Sequence, residues 1–514
     1  MFVRMVRYFF LIGVIFPMFT YAQSKKIPKN VADILVAAGK NRSELEKVIS
    51  YCDKQSNPLK LQAAYFLIAN MGIHHSECYY WADSTNNKID FNELSYPNFE
   101  AAVKAFEALK LKKGKLHPVK TILQDIATIK SDFLIDNIEM SFKMWKHGWA
   151  KKIPFGDFCE YILPYRVSVE PLQKWRKTYL DKFAFVDELS KKKNVSTVLS
   201  FIAADERLWF KDSWGTETRN EPLPRLGAQQ LLFRKTGMCE DIADLEVFTL
   251  RSQGIPASLN IIPYWATSTA SHFVNTAFDG KMSAVKFDVT RTPAVENKLA
   301  REPSKVIRIT YSKQPNLIAD IEREEDIPEG FMRLHNYTDI TDQYWETTDI
   351  KCELFPSTSK RGVKNFYVCV FNGLKWKPTW WGKVNNNSVI FKNMPKGCVF
   401  LPAYYKNGKI QPAGLPIAQG FAHRIVFDPD TVNTSSIVLK AQDQYLLYRP
   451  GRAYELFYWN NRWVSLGKKV APKNAAELAF QNVPRHCLLL MIPEYTEGKE
   501  RPFMMTEDNK RIWF

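Results

Sequence analysis

The chain has 514 residues, 46% of them hydrophobic and 14% aromatic, with a formal net charge of +17. That length predicts about three or four domains, and the apolar content excludes a disordered chain. The positive balance suggests attraction to anionic surfaces such as envelope glycans or phosphates. The lysines are scattered and no helix pattern carries a basic stripe with interleaved aromatics, which argues against a nucleic-acid partner.

Residues 1–22 read as a secretory signal. Arg4 and Arg7 supply the positive start, Tyr8 to Phe19 the apolar run, and Thr20-Tyr-Ala22 a small-residue cleavage site before Gln23. The run is too short, and too interrupted at Pro17, for a comfortable membrane span. No later run reaches about 18 apolar residues, so the mature chain is expected to have no integral span. Export to the periplasm, the cell surface or the exterior is expected.

Residues 23–205 read as all-helical. Apolar residues recur at helical spacing in Val31–Ala38, Lys60–Ala69, Phe99–Leu109 and Phe133–Trp145. An aromatic-rich turn at Phe158–Arg166 interrupts the pattern. Its Glu160 and Arg166, with Glu170, form either a buried ion network or part of a substrate cleft. His74 and His75 have metal-capable nitrogens, but adjacent histidines diverge in a strand or a helix. No metal and no other cofactor is expected. Lys110–Lys115 reads as a solvated loop.

Residues 206–335 contain the most informative stretch, from Thr236 to Ala257. Ile242, Leu245 and Phe248 recur at helical spacing, Gly254 suits the left-handed position after the last turn, and Pro256 blocks continuation. Cys239 therefore starts a helix, where unpaired N–H groups and the helix dipole favour a thiolate. Gly237 permits close approach of a substrate backbone. His272 and Asp288 follow on strands beginning near Ser271 and Met282, with Asp279-Gly280 between them as a hairpin signal. A two-residue loop turns Asp288 to the face away from His272. A loop of three or five residues, or a bulge, sets Asp288 opposite His272 on one face. The second arrangement is predicted. A base beside the sulfur and an acid that fixes its tautomer make an activated thiol nucleophile. Further strands are expected from Ala257 and Val306, and Asn336–Gln343 reads as a polar connector.

These residues resemble the transglutaminase-like family, a branch of the papain-like superfamily. The likeness rests on Gly237-x-Cys239-x-Asp241-x-Ala243-x-Leu245, on Leu250-Arg-Ser-Gln-Gly-Ile-Pro-Ala257, on His272, and on Phe287-Asp-Val-Thr290. It implies that Cys239 is the nucleophile, His272 the base and Asp288 the orienting acid. The family's His-Ala-Trp is His272-Phe-Val here, and its Asp-Pro-Thr is Asp288-Val-Thr. The resemblance also implies an upstream oxyanion donor beside the nucleophile's own N–H. Trp209, Trp214, Gln229 and Gln230 all stand as candidates. The implied fold class is α+β, a papain-like transglutaminase core with a helical lobe packed on a strand lobe. Residues 23–205 would be that first lobe, or a lid. The implied partner is a protein or peptide substrate, attacked at an amide to give a thioester. Water then makes the protein a peptidase or amidase, and an amine makes it a cross-linker. A non-catalytic scaffold that contacts glycan or protein is the alternative from another class.

Residues 336–425 and 426–514 read as two β-sandwich modules related by a repeat. Phe391-Lys-Asn-Met-Pro-Lys-Gly-Cys398 matches Phe480-Gln-Asn-Val-Pro-Arg-His-Cys487, and Tyr367–Trp376 aligns with Tyr454–Trp463. Cys398 and Cys487 thus occupy equivalent core positions and are not mutual disulfide partners. The chain has eight cysteines and no C-x-x-C pair, so few or no disulfides are expected. Trp376, Trp380, Trp381, Trp459 and Trp463 could form a glycan platform, but packing explains them better.

Overall fold

The computed structural model describes residues 26–213, 225–295, 298–359, 363–443 and 446–514. The signal-like residues 1–22 and the oxyanion candidate Trp214 lie outside the described residues. The chain is mixed α+β, with several sheets, one curled into a half-barrel.

The helices Lys29–Ala37, Pro58–Asn70 and Ser131–Trp145 form where the apolar spacing predicts them, and a further helix, Arg42–Asp53, lies outside the predicted spans. They bury Leu45, Ala64, Leu67, Leu134 and Ile138 in one core. The N-terminal region is nevertheless not all-helical. Strands β1 (His75–Ala82), β2 (Lys88–Ile89) and β3 (His117–Gln124) form an antiparallel sheet in the order β2-β1-β3. Tyr79, Tyr80 and Trp81 on β1 face Lys120, Val119 and Pro118 on β3. Aromatic and β-branched residues favour this pleated, half-buried surface. The neighbouring helical patterns masked these strands in the sequence.

Arg166 is the centre of a buried ion network. Its guanidinium donates to Asp125 Oδ1 at 2.6 Å and Oδ2 at 2.8 Å and reaches Glu170 at 3.7 Å. Of the two readings of Arg166 and Glu170, the network is the one observed. Glu160 lies elsewhere, its carboxylate accepting from the Tyr311 amide.

The central sheet has five antiparallel strands in the order β10-β9-β6-β7-β8. Two short parallel strands precede it, β4 (Lys211–Asp212) and β5 (Thr236–Gly237). The sheet itself comprises β6 (Ala257–Ile262), β7 (His272–Phe278), β8 (Ala284–Phe287), β9 (Ile307–Ile309) and β10 (Tyr337–Asp339). The helix Cys239–Ser252 packs on one face, and every residue from Asp241 to Ser252 is buried. Asn275 Nδ2 donates across to the Ala243 carbonyl at 2.9 Å. The helix ends as predicted. Gly254 takes φ +73°, and the Ile255 and Gly254 amides reach back to the Leu250 and Arg251 carbonyls.

The segment read as a polar connector is part of this sheet. β10 pairs with β9, and Tyr344 hydrogen-bonds Thr276 beneath the opposite face. Tyr337, Ile340 and Tyr344 are buried, so apolar anchors hold a segment that its Asn, Thr and Asp residues made look solvated. The core therefore continues past residue 335.

The C-terminal half is built of β-strands. Strands between Thr347 and Val426 form one eight-stranded sheet, where a sandwich with two separate sheets was expected. A bulge between Val368 and Cys369 accompanies the long strand Lys375–Asn385, which pairs with a second neighbour at its far end. Bulges increase twist and curl a sheet on itself. The strands between Asp430 and Trp513 make a five-stranded and a two-stranded sheet around a common core. The repeat extends to the backbone. Asn393 and its counterpart Asn482 have φ +55° and +57°, and Gly397 and His486 have φ +89° and +55°. Cys398 and Cys487 are both buried, and all eight cysteines are free.

Trp376, Trp459 and Trp463 interlock edge-to-face with Phe371 between the two parts. They pack, and form no open platform. Trp380 covers Lys305, whose fully buried ammonium lies 4.3 Å from the ring centroid. Lys305 Nζ donates to Asp339 Oδ2 at 2.5 Å and to the Lys392 and Asn393 carbonyls at 2.9 and 2.8 Å. Burial lowers its pKa to about 8 despite the Asp339 carboxylate.

Candidate active site

Cys239 is the first residue of its helix and is partly exposed. The turn before it is held by Asp241, whose carboxylate accepts from the Met238 amide at 2.8 Å. Gly237 is required by this cap. A Cβ there would lie 2.6 Å from Asp241 Cβ and 2.8 Å from Oδ2. The glycine thus admits Asp241, where the sequence suggested a substrate backbone.

His272 begins β7 and hydrogen-bonds Asp288, and Cys239 is close enough to influence its titration. The Nε2–H donates to Asp288 Oδ2 at 2.8 Å, which leaves Nδ1 for the sulfur. The hairpin register explains the meeting. Phe278 pairs with Ala284 across residues 279–283, and Asn275 pairs with Phe287. Continued by one step, this sets Asp288 opposite Val274. His272 and Asp288 therefore share a face as diagonal neighbours, one pair away from the directly opposed arrangement expected. The five-residue loop is one of the predicted alternatives.

Asp288 is fixed on its other side. Its Oδ1 accepts from the Thr290 amide at 3.0 Å and the Thr290 hydroxyl at 2.6 Å. The turn carrying it is tied to the helix Val195–Trp209 by Arg207, which donates to the Val289 carbonyl at 3.1 and 3.0 Å and to the Arg291 carbonyl. On the far side the His272 ring stacks on Trp265, with centroids 5.8 Å apart. Burial by itself pushes the His272 pKa down. The Asp288 and Cys239 hydrogen bonds and charges together outweigh it and raise the pKa to about 9. The imidazole is thus held as the cation at neutral pH.

The glutamine oxyanion candidates are committed elsewhere. Gln229 Nε2 donates to the Lys174 carbonyl at 2.6 Å and to Thr178 at 3.1 Å. Gln230 accepts from the Gly227 amide and donates to Glu93 at 2.7 Å. Both belong to the cap and packing of the helix Ala228–Arg234, and neither donates toward Cys239. Trp209 is equally occupied, donating to Asp205 at 2.9 Å. The backbone N–H groups at the start of the helix belong to the same turn as Cys239 and are oriented along it as donors.

Three further groups near the site are hard to read from the sequence. Asp212 lies on β4 beside β5, and its pKa is raised by burial and by Asp288, against the opposing influence of His272. Arg225 pairs with Glu240 at 2.9 Å and Asp244 at 3.1 Å, and its guanidinium lies 5.0 Å from the Phe273 ring. It thereby links the residue after the thiol to the residue after the imidazole. Glu206 and Glu246 face one another between the helix Val195–Trp209 and the helix Cys239–Ser252, 1% and 0% exposed. Burial raises both, and their contact raises Glu246 further. Glu206 had a sequence signal, since it continues the buried stripe Val195, Val198, Leu199, Ile202.

Two hollows flank the first turn of the Cys239 helix. One, about 340 Å³, touches Glu240 and Phe273. The other, about 230 Å³, touches Ile242, Asp212 and Thr290. Among the described residues, no group of His, Cys, Asp and Glu is placed to hold a metal ion, and no helix is long and apolar enough to cross a membrane. His74 is buried against the Tyr311 carbonyl at 2.8 Å, and His75 is on β1. No protein-family model matches the chain, and a search of curated proteins finds no match.

Proposed function

We propose that this chain is an exported cysteine enzyme that cleaves amide bonds through a thioester. The observation that carries the reading is the His272–Asp288 hydrogen bond of 2.8 Å with Cys239, at a helix start, near enough to raise the His272 pKa. The resemblance of Gly237–Thr290 to transglutaminase-like sequences supports a papain-like core, and the signal-like N-terminus supports export.

In this reading the Cys239 thiolate attacks the carbonyl carbon of a protein or peptide amide. The oxyanion takes hydrogen bonds from helix-start N–H groups. The C–N bond breaks, and the leaving amine takes the His272 Nδ1 proton. Water then gives that nitrogen a proton, attacks the thioester and releases a carboxylic acid and the thiol. An amine in place of water yields a new amide. Abundant water outside the cell favours hydrolysis.

Iodoacetamide labelling tests the reading. The other cysteines are poor competitors. Burial raises the thiols of Cys52, Cys159, Cys352 and Cys487 to about 12 and pushes Cys369 and Cys398 up as well. The half-buried Cys78 thiol is also raised. One fast-reacting thiol, mapped to Cys239 and slowed in His272→Ala, is expected. A folded protein with an unreactive Cys239 would favour the scaffold alternative.

A further inference from the structure

The 340 Å³ hollow has the size of a small-ligand site, which spans about 300–1,000 Å³. It opens at the first turn of the Cys239 helix, since Glu240, the residue after Cys239, lines it, and it runs along the sheet face that carries Phe273. Its floor is apolar. Leu259, Ile261 and Phe273 come from the central sheet, Leu334 from the segment before β10, and Ile73 and Val169 from the N-terminal region. Val169 is held in place because its carbonyl accepts the Glu77 amide at 2.7 Å.

The charged groups at the rim are matched. Arg225 is paired with Glu240 and Asp244, and Glu77 with Lys120 at 2.6 Å. Burial lowers the pKa of His75, so its imidazole is neutral. A charged guest would lose hydration here without gaining a free counter-charge. An apolar guest gains roughly 25 cal/mol for each Å² removed from water. The 230 Å³ hollow on the other side differs, being walled in part by Glu206, Arg207 and Asp212. The two sides of the nucleophile are therefore chemically unlike.

We infer that the larger hollow is a specificity pocket for a bulky uncharged side chain, aliphatic or aromatic, of the peptide that acylates Cys239. The inference rests on the thioester reading above. It makes the N-terminal region part of the substrate site, because Ile73 and Val169 form one wall.

Dipeptidyl chloromethyl ketones test it, since the sulfur displaces chloride and the thioether is weighed by mass spectrometry. Each of the two positions carries Phe, Leu, Ala, Lys or Glu in turn. At one position Phe or Leu is expected to speed alkylation of Cys239 about 10-fold or more over Ala, Lys and Glu. Val169→Trp narrows the hollow from a partly exposed loop and should remove that preference, and its iodoacetamide rate reports whether the Cys239 thiol itself stays reactive. Leu334→Trp serves as the second narrowing variant if Val169→Trp loses its iodoacetamide rate. The pocket assignment is overturned if neither position prefers bulky uncharged residues. It is also overturned if the preference survives both substitutions while iodoacetamide still labels at the wild-type rate. If iodoacetamide finds no His272-dependent thiol in the parent protein, the thioester reading fails, and the pocket assignment fails with it.

Discussion

Thr290 holds the Asp288 oxygen that His272 leaves unused, through both its amide and its hydroxyl. A carboxylate gripped on one side presents the other at a fixed angle, so Thr290 acts on the imidazole through Asp288. Thr290→Val removes only the hydroxyl bond. It is expected to cost about 1 kcal/mol of stability in chemical denaturation and to slow Cys239 alkylation several-fold. Thr290→Ser should restore both. An unchanged alkylation rate in a destabilised Thr290→Val protein would leave Thr290 a purely structural role.

The raised His272 pKa makes a second prediction. The folded value of about 9 stands above the ordinary 6.5, so the folded state binds the proton more tightly. The stability this contributes is fully present below about pH 6.5 and is lost as pH rises through 9. Imidazole NMR resonances should titrate near 9. In Asp288→Asn the main opponent of burial is gone, and the midpoint should fall toward or below 6.5. A midpoint unmoved by Asp288→Asn would contradict the assigned cause.

The Glu206–Glu246 pair makes a prediction of the same sign in a lower pH range. Both carboxyls have raised pKa values, so the folded state holds extra protons that the unfolded chain releases at lower pH. Stability is therefore expected to fall as pH rises from the ordinary carboxyl range toward neutrality. Glu206→Gln keeps the shape and supplies a permanent donor. Its melting temperature should depend less on pH between 5 and 8 than that of the parent. Parallel curves would show that the pair does not govern this range.

Gly237→Ala adds a methyl group where Asp241 already sits. The cap on Met238 must open or the turn must move, at a cost of about 1–3 kcal/mol. Because Cys239 lies two residues on, its alkylation should slow in the folded variant. Asp241→Asn, which keeps the volume but weakens the cap, should produce a smaller change in both readouts.

The positions of Cys239, His272 and Asp288 were more legible in the sequence than the residues that support them. Cys239, His272 and Asp288 were readable because helix-start and hairpin signals are local, and the Gly254 stop followed from one residue's backbone freedom. The exact pairing was not readable, because a five-residue loop and a three-residue loop put Asp288 on the same face. Gln229 and Gln230 looked available only because their partners, Lys174, Thr178 and Glu93, lie far away in sequence. Arg207 and Arg225 act by the same long-range geometry, and no local pattern marks either one. The β1–β3 sheet was missed because its flanks read so clearly as helix. The repeat in the C-terminal half was legible down to Asn393 and Asn482, since left-handed backbone selects the same residue twice.

Lys305 also imposes an order of assembly. Its ammonium is shared between Asp339 and the strand residues Lys392 and Asn393. During synthesis that strand appears well after Asp339, and until then the ammonium lacks two of its three partners. The sheet that carries His272 is completed around Lys305 only when that strand has been delivered. A nascent chain ending at Glu346 is expected to stay protease-sensitive through this sheet, and one extending past the strand Ser388–Pro395 should become resistant. The thiol would thus be kept from its working geometry until most of the protein has been made.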